Sequence, residues 1–136
     1  GQGRRGGHSD GDVLVHAVID ALLGATALGD IGSHFPSSDP GNAGISSITL
    51  LQETVKKVGE AGWMATFVDA TIIAQRPTLA PHMGRIIAGL AGGLSLDEPQ
   101  VNVKATTTDG LGFTGRGEGI AALAVVTVTH ARDATG

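Results

Sequence analysis

Residues 7–40 read GHSDGDVLVHAVIDALLGATALGDIGSHFPSSDP, and this stretch holds three of the five histidines together with five aspartates. Ser9, Asp10 and Asp12 stand ahead of an apolar run. That is the order in which a helix N-terminus is written when its first N–H groups need oxygen acceptors. The pattern predicts a helix beginning near residues 10–12. At about 100° per residue, Asp12, His16 and Asp20 fall on nearly one face, while Val13, Val15, Val18, Ile19, Leu22 and Leu23 cover much of the rest. A polar stripe on an otherwise apolar helix asks for a purpose.

Beyond this helix, residues 29–42 carry Gly, Pro, Ser and Asp in quick succession and read as an ordered or gated loop. Ser46 or Ser47 is placed to cap a second helix that ends at residues 59–61. Its apolar positions Ile48, Leu51, Val55 and Val58 recur at three- and four-residue steps, leaving Glu53, Lys56, Lys57 and Glu60 to solvent. Thr66, Val68, Thr71, Ile72 and Ile73 raise the β-branched content of residues 64–74, which predicts a strand. Pro77 and Pro81 punctuate the next loop. A helix is expected from about Pro81 through Met83, Ile86, Ile87 and Leu90 to a stop at Gly92 and Gly93. Residues 100–106 form a short strand, residues 106–119 (TTTDGLGFTGRGEG) a loop with five glycines, and residues 120–129 (IAALAVVTVT) a strand apolar on both faces.

The element order is mixed α/β (α+β), with about three helices to cover one face of a mixed sheet. No internal repeat or linker divides the 136 residues, and a chain of this length buries one core. The far face of the last strand, with Ala121, Leu123 and Val125, is left without cover by so small a chain. Packing uncovered sheet faces against one another in a homo-oligomer is the economical solution.

Composition narrows the chemistry. A net charge of −4 and a pI near 5.6 argue against a partner held by bulk electrostatics, such as duplex nucleic acid. With 3% aromatics, no tyrosine and Trp63 alone, there is no stacking platform for exposed bases. Without cysteine, only histidine, carboxylate, hydroxyl and backbone groups remain for chemistry, which fits a cytoplasmic protein. No apolar stretch reaches the roughly 18 residues of a membrane span, and GQGRRGG lacks the apolar run of a signal peptide. A soluble chain is expected.

Individual candidates carry bland readings beside sharp ones. His16 is the best candidate metal ligand, with Asp12 or Asp20 placed to orient its second ring nitrogen; spacing alone favours a histidine simply hydrogen-bonded to a neighbouring aspartate. His8, beside Ser9 just before the expected helix start, sits where N–H groups and the helix dipole favour an anion, or is an ordinary loop histidine. His34, His82 and His130 read as solvated. Thr106, Thr107, Thr108 and Asp109 leave a strand end that suits phosphate and Mg²⁺, and equally an Asp-Gly turn. Arg116 suits a phosphate or a salt bridge to Glu118.

Taken in order, GHSDGDVLVHAVIDALLGA, GDIGSHFP followed by SDP, ATIIAQRPTLAPH and VNVKATTTDGLGFTGRGEGIAA closely resemble the 2-C-methyl-D-erythritol 2,4-cyclodiphosphate synthase family. The resemblance implies a homotrimer with active sites between subunits. It also implies an intramolecular phosphoryl transfer that turns 4-diphosphocytidyl-2-C-methyl-D-erythritol 2-phosphate into the cyclic diphosphate and CMP in non-mevalonate isoprenoid biosynthesis. It assigns Zn²⁺ to His16 and Mg²⁺ or Mn²⁺ to Asp109, which is aspartate where glutamate is common. His8 and Thr107 match residues that stabilise the transition state, and Ser9 contacts phosphate.

By the same resemblance Asp30, Ile31 and Gly32 meet the ribose and erythritol, and Phe35, Pro36, Ser37, Ser38 and Asp39 close over substrate. Ala74, Gln75, Arg76, Pro77, Thr78, Leu79 and Ala80 form the cytosine pocket, with Thr78 standing where lysine is frequent. Thr106 and Thr107, with Thr108 beside them, approach the nucleotide phosphates, and Phe113 and Arg116 lie near the ligand and the trimer axis. The family pattern opens on a strand with an Asp-x-His pair supplying the other zinc ligands. This chain has no Asp-x-His, so it is expected to lack that N-terminal strand region and to keep His16 as the one matching ligand. Two alternatives from other classes stand beside this reading: a non-catalytic trimer binding cytidine nucleotides or isoprenoid diphosphates, and a metal-dependent phosphohydrolase.

Overall fold

Leu14, Val15, Val18, Ile19, Leu22 and Leu23 are all buried, and together they form the apolar face of the helix α1, Gln2–Ala25. The computed structural model describes residues 2–36, 46–74, 80–107 and 120–131, with side chains of the first segment from Gly11 onward. The elements that follow are α2 (Ile31–His34), α3 (Ser47–Glu60), β1 (Trp63–Ile73), α4 (Met83–Leu94), β2 (Val101–Thr106) and β3 (Ala121–His130), with single 3-10 turns at Ala80–His82 and Glu98–Gln100.

Three boundaries differ from the sequence reading. α1 does not begin near residues 10–12 but runs back to Gln2. No proline interrupts residues 2–12, and once a helix is nucleated by a packed segment each further residue adds one bond. The expected loop 29–42 contains α2. Asp30 caps this single turn, its carboxylate accepting from the Ser33 N–H at 2.8 Å while Ser33 Oγ faces the Asp30 amide at 3.3 Å. Four residues are too few to register as a period. Thirdly, α4 passes through Gly92 and Gly93 and ends one residue after Gly93, at Leu94, with Ser95 in the left-handed region at φ 58°. Gly93 is buried against Leu51 of α3, so its missing side chain serves helix packing instead of termination.

α3 matches expectation closely. Ser46 Oγ accepts from the Thr49 N–H, capping the helix. Leu51 and Val58 are buried, as is Thr54, whose hydroxyl donates to the Leu50 carbonyl at 2.8 Å. Gly62, at φ +93°, makes the tight reversal from α3 into β1.

The sheet among the described residues has the order β2-β1-β3, with β1 parallel to β2 and antiparallel to β3. Thr66 is the extra residue of a bulge between Ala65 and Phe67; its hydroxyl meets Thr127 Oγ1 at 2.6 Å, and Gln100 Nε2 donates to its carbonyl at 3.0 Å. Val68, Ala70, Ile72, Val101 and Val126 face the helices and complete one core with Leu51, Leu90 and Leu94. Fully burying each large aliphatic side chain contributes about 1.5–3 kcal/mol, so this single cluster holds the α/β domain together.

The opposite face is uncovered in the single chain. Leu123 and Val125 are each 65% exposed and Phe67 is 41% exposed. Register places Leu123 beside Thr71 and Val125 beside Asp69. Further along this face Lys104 Nζ and Asn102 Nδ2 of β2 both reach Asp69, at 2.8 and 2.9 Å. The apolar part of the face therefore lies over β1 and β3, and its charged part over β1 and β2.

Candidate active site

α1 carries the polar stripe foreseen from its sequence: Asp12, His16 and Asp20 are all exposed on one face. The carboxylates do not orient the imidazole, however. Asp12 Oδ1 accepts from Ser47 Oγ at 2.7 Å, tying α1 to the start of α3. Asp20 Oδ1 accepts from the Ile31 N–H, also at 2.7 Å. Both short bonds go to charged acceptors, the stronger class of hydrogen bond. Among the described residues His16 makes no hydrogen bond, and no group of three histidine, aspartate or glutamate side chains is clustered to hold a metal.

The start of α1 also changes the reading of His8 and Ser9. They lie inside the helix, where backbone N–H groups already have intrahelical acceptors, so capture of an anion by helix-terminal amides is not available at those positions.

Residues 30–35 return along α1 and are held there. Besides the Asp20–Ile31 bond, the His34 ring Nε2 lies 2.6 Å from the Leu28 carbonyl, to which it donates, and the Lys57 ammonium sits 5.7 Å from the centre of the Phe35 ring. His34 is thus half-buried and bonded, not solvated as its sequence surroundings implied. His130 is exposed, as expected, and its ring stacks on Trp63, ring centres 4.1 Å apart, because the β1–β3 register sets the two opposite each other. His82 is half-buried at the start of α4.

A second group gathers where the parallel strands end. The Ala74 N–H donates to the Thr106 carbonyl at 3.1 Å, extending the β1–β2 pairing by one step. Ala74 is buried, while Thr106 and Thr107 are exposed beside it. Ile73 of β1 also pairs with Ala121, so β3 begins at this same end. Carboxyl ends of adjacent parallel strands are where α/β folds present ligand-binding loops. Pro36 is exposed just after α2, and Ala80 opens the turn before α4. Ser37, Ser38, Asp39, Gln75, Arg76, Pro77, Thr78, Leu79, Thr108, Asp109, Phe113 and Arg116 lie outside the described residues.

The sequence reading missed the Asp20–Ile31, Asp12–Ser47 and Lys57–Phe35 partnerships. Helical spacing points Asp20 toward orienting His16, whereas its carboxylate accepts from Ile31, a partner that comes within reach only when the chain folds back on α1.

Residues 3–129 match the model of the YgbB family. The chain belongs to that family. The 2-C-methyl-D-erythritol 2,4-cyclodiphosphate synthase of Lachnospira eligens is 56% identical over 119 residues, covering 88% of this chain and 65% of its own. This chain therefore spans just under two thirds of that relative's length. The bifunctional IspDF of Campylobacter jejuni superposes with a TM-score of 0.82 at 42% identity, over 87% of this chain and 32% of that one. IspF of Plasmodium falciparum, solved as a CDP complex, gives a TM-score of 0.74 at 27% identity, over 87% of this chain and 70% of its own. The YgbB-family chain thus shares its mixed three-stranded sheet and overlying helices with cyclodiphosphate synthases. Among its described residues no helix is long and apolar enough to cross a membrane.

Proposed function

We propose that this chain is the catalytic domain of a cytoplasmic, homotrimeric cyclodiphosphate synthase of non-mevalonate isoprenoid biosynthesis. It converts 4-diphosphocytidyl-2-C-methyl-D-erythritol 2-phosphate into 2-C-methyl-D-erythritol 2,4-cyclodiphosphate and CMP. An oxygen of the substrate's 2-phosphate forms a bond to its β-phosphorus. The bond from that phosphorus to the bridging oxygen breaks, and CMP leaves with that oxygen.

Because nucleophile and electrophile belong to one molecule, no protein nucleophile is needed. Holding the phosphates in line and offsetting their mutual repulsion supplies the catalysis. The observation that carries the reading is the adjacency of Ala74 with Thr106 and Thr107 at the parallel strand ends, in a chain that matches its family over residues 3–129. In this reading residues 74–80 hold the cytosine through backbone groups, and the Thr106 and Thr107 hydroxyls donate to the phosphates, with Thr107 and His8 stabilising the transition state and Ser9 and Thr108 assisting. Asp30, Ile31 and Gly32 take the sugars, Phe35 with residues 36–39 closes over them, and Arg116 and Phe113 face the ligand near the trimer axis.

Divalent metals belong to the same proposal: Zn²⁺ at His16, and Mg²⁺ or Mn²⁺ at Asp109, where they would neutralise phosphate charge. The exposed imidazole of His16 suits zinc, yet a catalytic zinc takes three protein ligands and the described residues offer this one. A zinc centre at His16 would therefore need two further ligands from beyond the described residues. The homotrimer is supported by the exposed face of Leu123 and Val125, which three copies would cover.

Phosphorus NMR on the purified protein, supplied with substrate and Mg²⁺, is expected to display the cyclic diphosphate and CMP appearing together. No conversion by a zinc-loaded oligomer would defeat the proposal. Tight CMP binding without turnover or zinc would replace it with the non-catalytic nucleotide-binding trimer, and release of inorganic phosphate from simple esters with the phosphohydrolase.

A further inference from the structure

Asp20 lies on the rigid part of α1, between buried Ile19 and buried Leu22, and its carboxylate reaches eleven residues ahead to the peptide of Ile31. Among the described residues, no other hydrogen bond ties residues 29–35 to α1. Apart from the bond from the His34 ring to the Leu28 carbonyl, the remaining bonds around α2 are internal to it. Asp30 Oδ1 accepts from Ser33 N–H at 2.8 Å, Ser33 Oγ donates to the Asp30 carbonyl at 2.8 Å, and the Phe35 N–H donates to the Ile31 carbonyl at 2.8 Å. These bonds keep the shape of the turn, while Ile31 and Phe35 pack it against the core and Lys57 sits over the Phe35 ring. The Asp20 bond adds the direction of the 30–31 peptide, because it fixes the Ile31 N–H toward α1.

That bond also decides which groups of residues 30–32 are left for a ligand. The Ile31 N–H is occupied, and Asp30 Oδ1 is held by Ser33. What remains is the second carboxylate oxygen of exposed Asp30 and the N–H of exposed Gly32, one of the first amides of a helix, which have no intrahelical acceptor. An acceptor and a donor two residues apart are what a vicinal diol of a sugar requires, since each hydroxyl both donates and accepts.

We infer that Asp20 is a positioning residue: by accepting from Ile31 it orients the 30–31 peptide so that Asp30 and Gly32 together grip the sugar of the bound nucleotide. This rests on the proposed placement of the substrate's sugars at residues 30–32. It assigns Ile31 a scaffolding part, with its amide turned to the protein and not to the ligand.

The test compares the oligomeric wild-type protein with Asp20→Ala and Asp20→Asn, reading the Kd for CDP by calorimetry, and kcat and KM with the diphosphocytidyl substrate. Asp20→Ala is expected to weaken CDP binding and raise KM about tenfold, the size of one lost hydrogen bond to a charged acceptor, with kcat changed less than about threefold. In Asp20→Asn the amide oxygen still accepts from the Ile31 N–H, so most of the loss should be recovered. Wild-type Kd and KM in Asp20→Ala, even with a lowered Tm, would overturn the inference, because a merely structural residue reduces the folded fraction without altering the site. Equal losses in the two variants would overturn it as well, since charge and not the bond would then be responsible. Failure of the wild type itself to bind CDP and turn over substrate would instead remove the functional reading beneath it.

Discussion

Gly93 lies directly against Leu51: a Cβ built on this glycine would stand 2.7 Å from Leu51 Cδ2 and 3.3 Å from its Cγ. The preceding Gly92 is exposed, with nothing within 4 Å of the same constructed atom. The two neighbours therefore respond oppositely to one methyl group. Gly92→Ala should stabilise the protein by up to about 1 kcal/mol through helix propensity. Gly93→Ala should destabilise it, since overpacking of about 1–3 kcal/mol exceeds that same gain. Thermal unfolding of the two variants checks the sign of each.

The Asp69 carboxylate is held below its ordinary value of 3.8, first by the Lys104 hydrogen bond and then by that of Asn102. A lowered folded-state pKa contributes stability above the unfolded value, and that contribution is lost as pH falls through the folded one. Titration followed by carboxyl-carbon NMR is expected to give a midpoint below 3.8 for Asp69, moving upward in Lys104→Met. Asp69→Asn should flatten the dependence of stability on pH below about 4, the range in which an ordinary aspartate titrates.

Leu123 and Val125 lie on the sheet face away from the helices and are each 65% exposed. If copies of the chain cover one another there, Leu123→Glu with Val125→Glu should yield a monomer in sedimentation velocity, while the wild type sediments as a trimer. Both side chains point away from the core, so the monomer should keep its circular dichroism.

His16 and Asp109 separate the two proposed metals. Metal analysis by mass spectrometry is expected to find zinc lost in His16→Ala and retained in Asp109→Ala. The Mg²⁺ dependence of turnover should weaken in Asp109→Ala with no change in Tm. Zinc retained by His16→Ala would remove this histidine from the ligand set.

Ser46 caps α3 through the Thr49 N–H at 3.2 Å. Ser46→Ala should cost about 1 kcal/mol, within the usual range for a lost N-cap, and chemical denaturation measures it.

The apolar faces of α1 and α3, the Ser46 cap, the three strands and the polar stripe of Asp12, His16 and Asp20 are legible in the order of residues alone. Each is written locally, in a period of 3.6 or 2 or in a single capping residue. That order also carries the family resemblance, because motif order survives in one dimension. Folding selects the partner of each polar group: Ser47 for Asp12, Ile31 for Asp20, Leu28 for His34 and Trp63 for His130. It also turns Gly93 from a helix stop into a packing site against Leu51. A hydrogen bond or a van der Waals contact forms wherever folding brings two groups within reach. The local pattern states what a residue offers, and the packing of α1, α3 and the sheet determines what receives it.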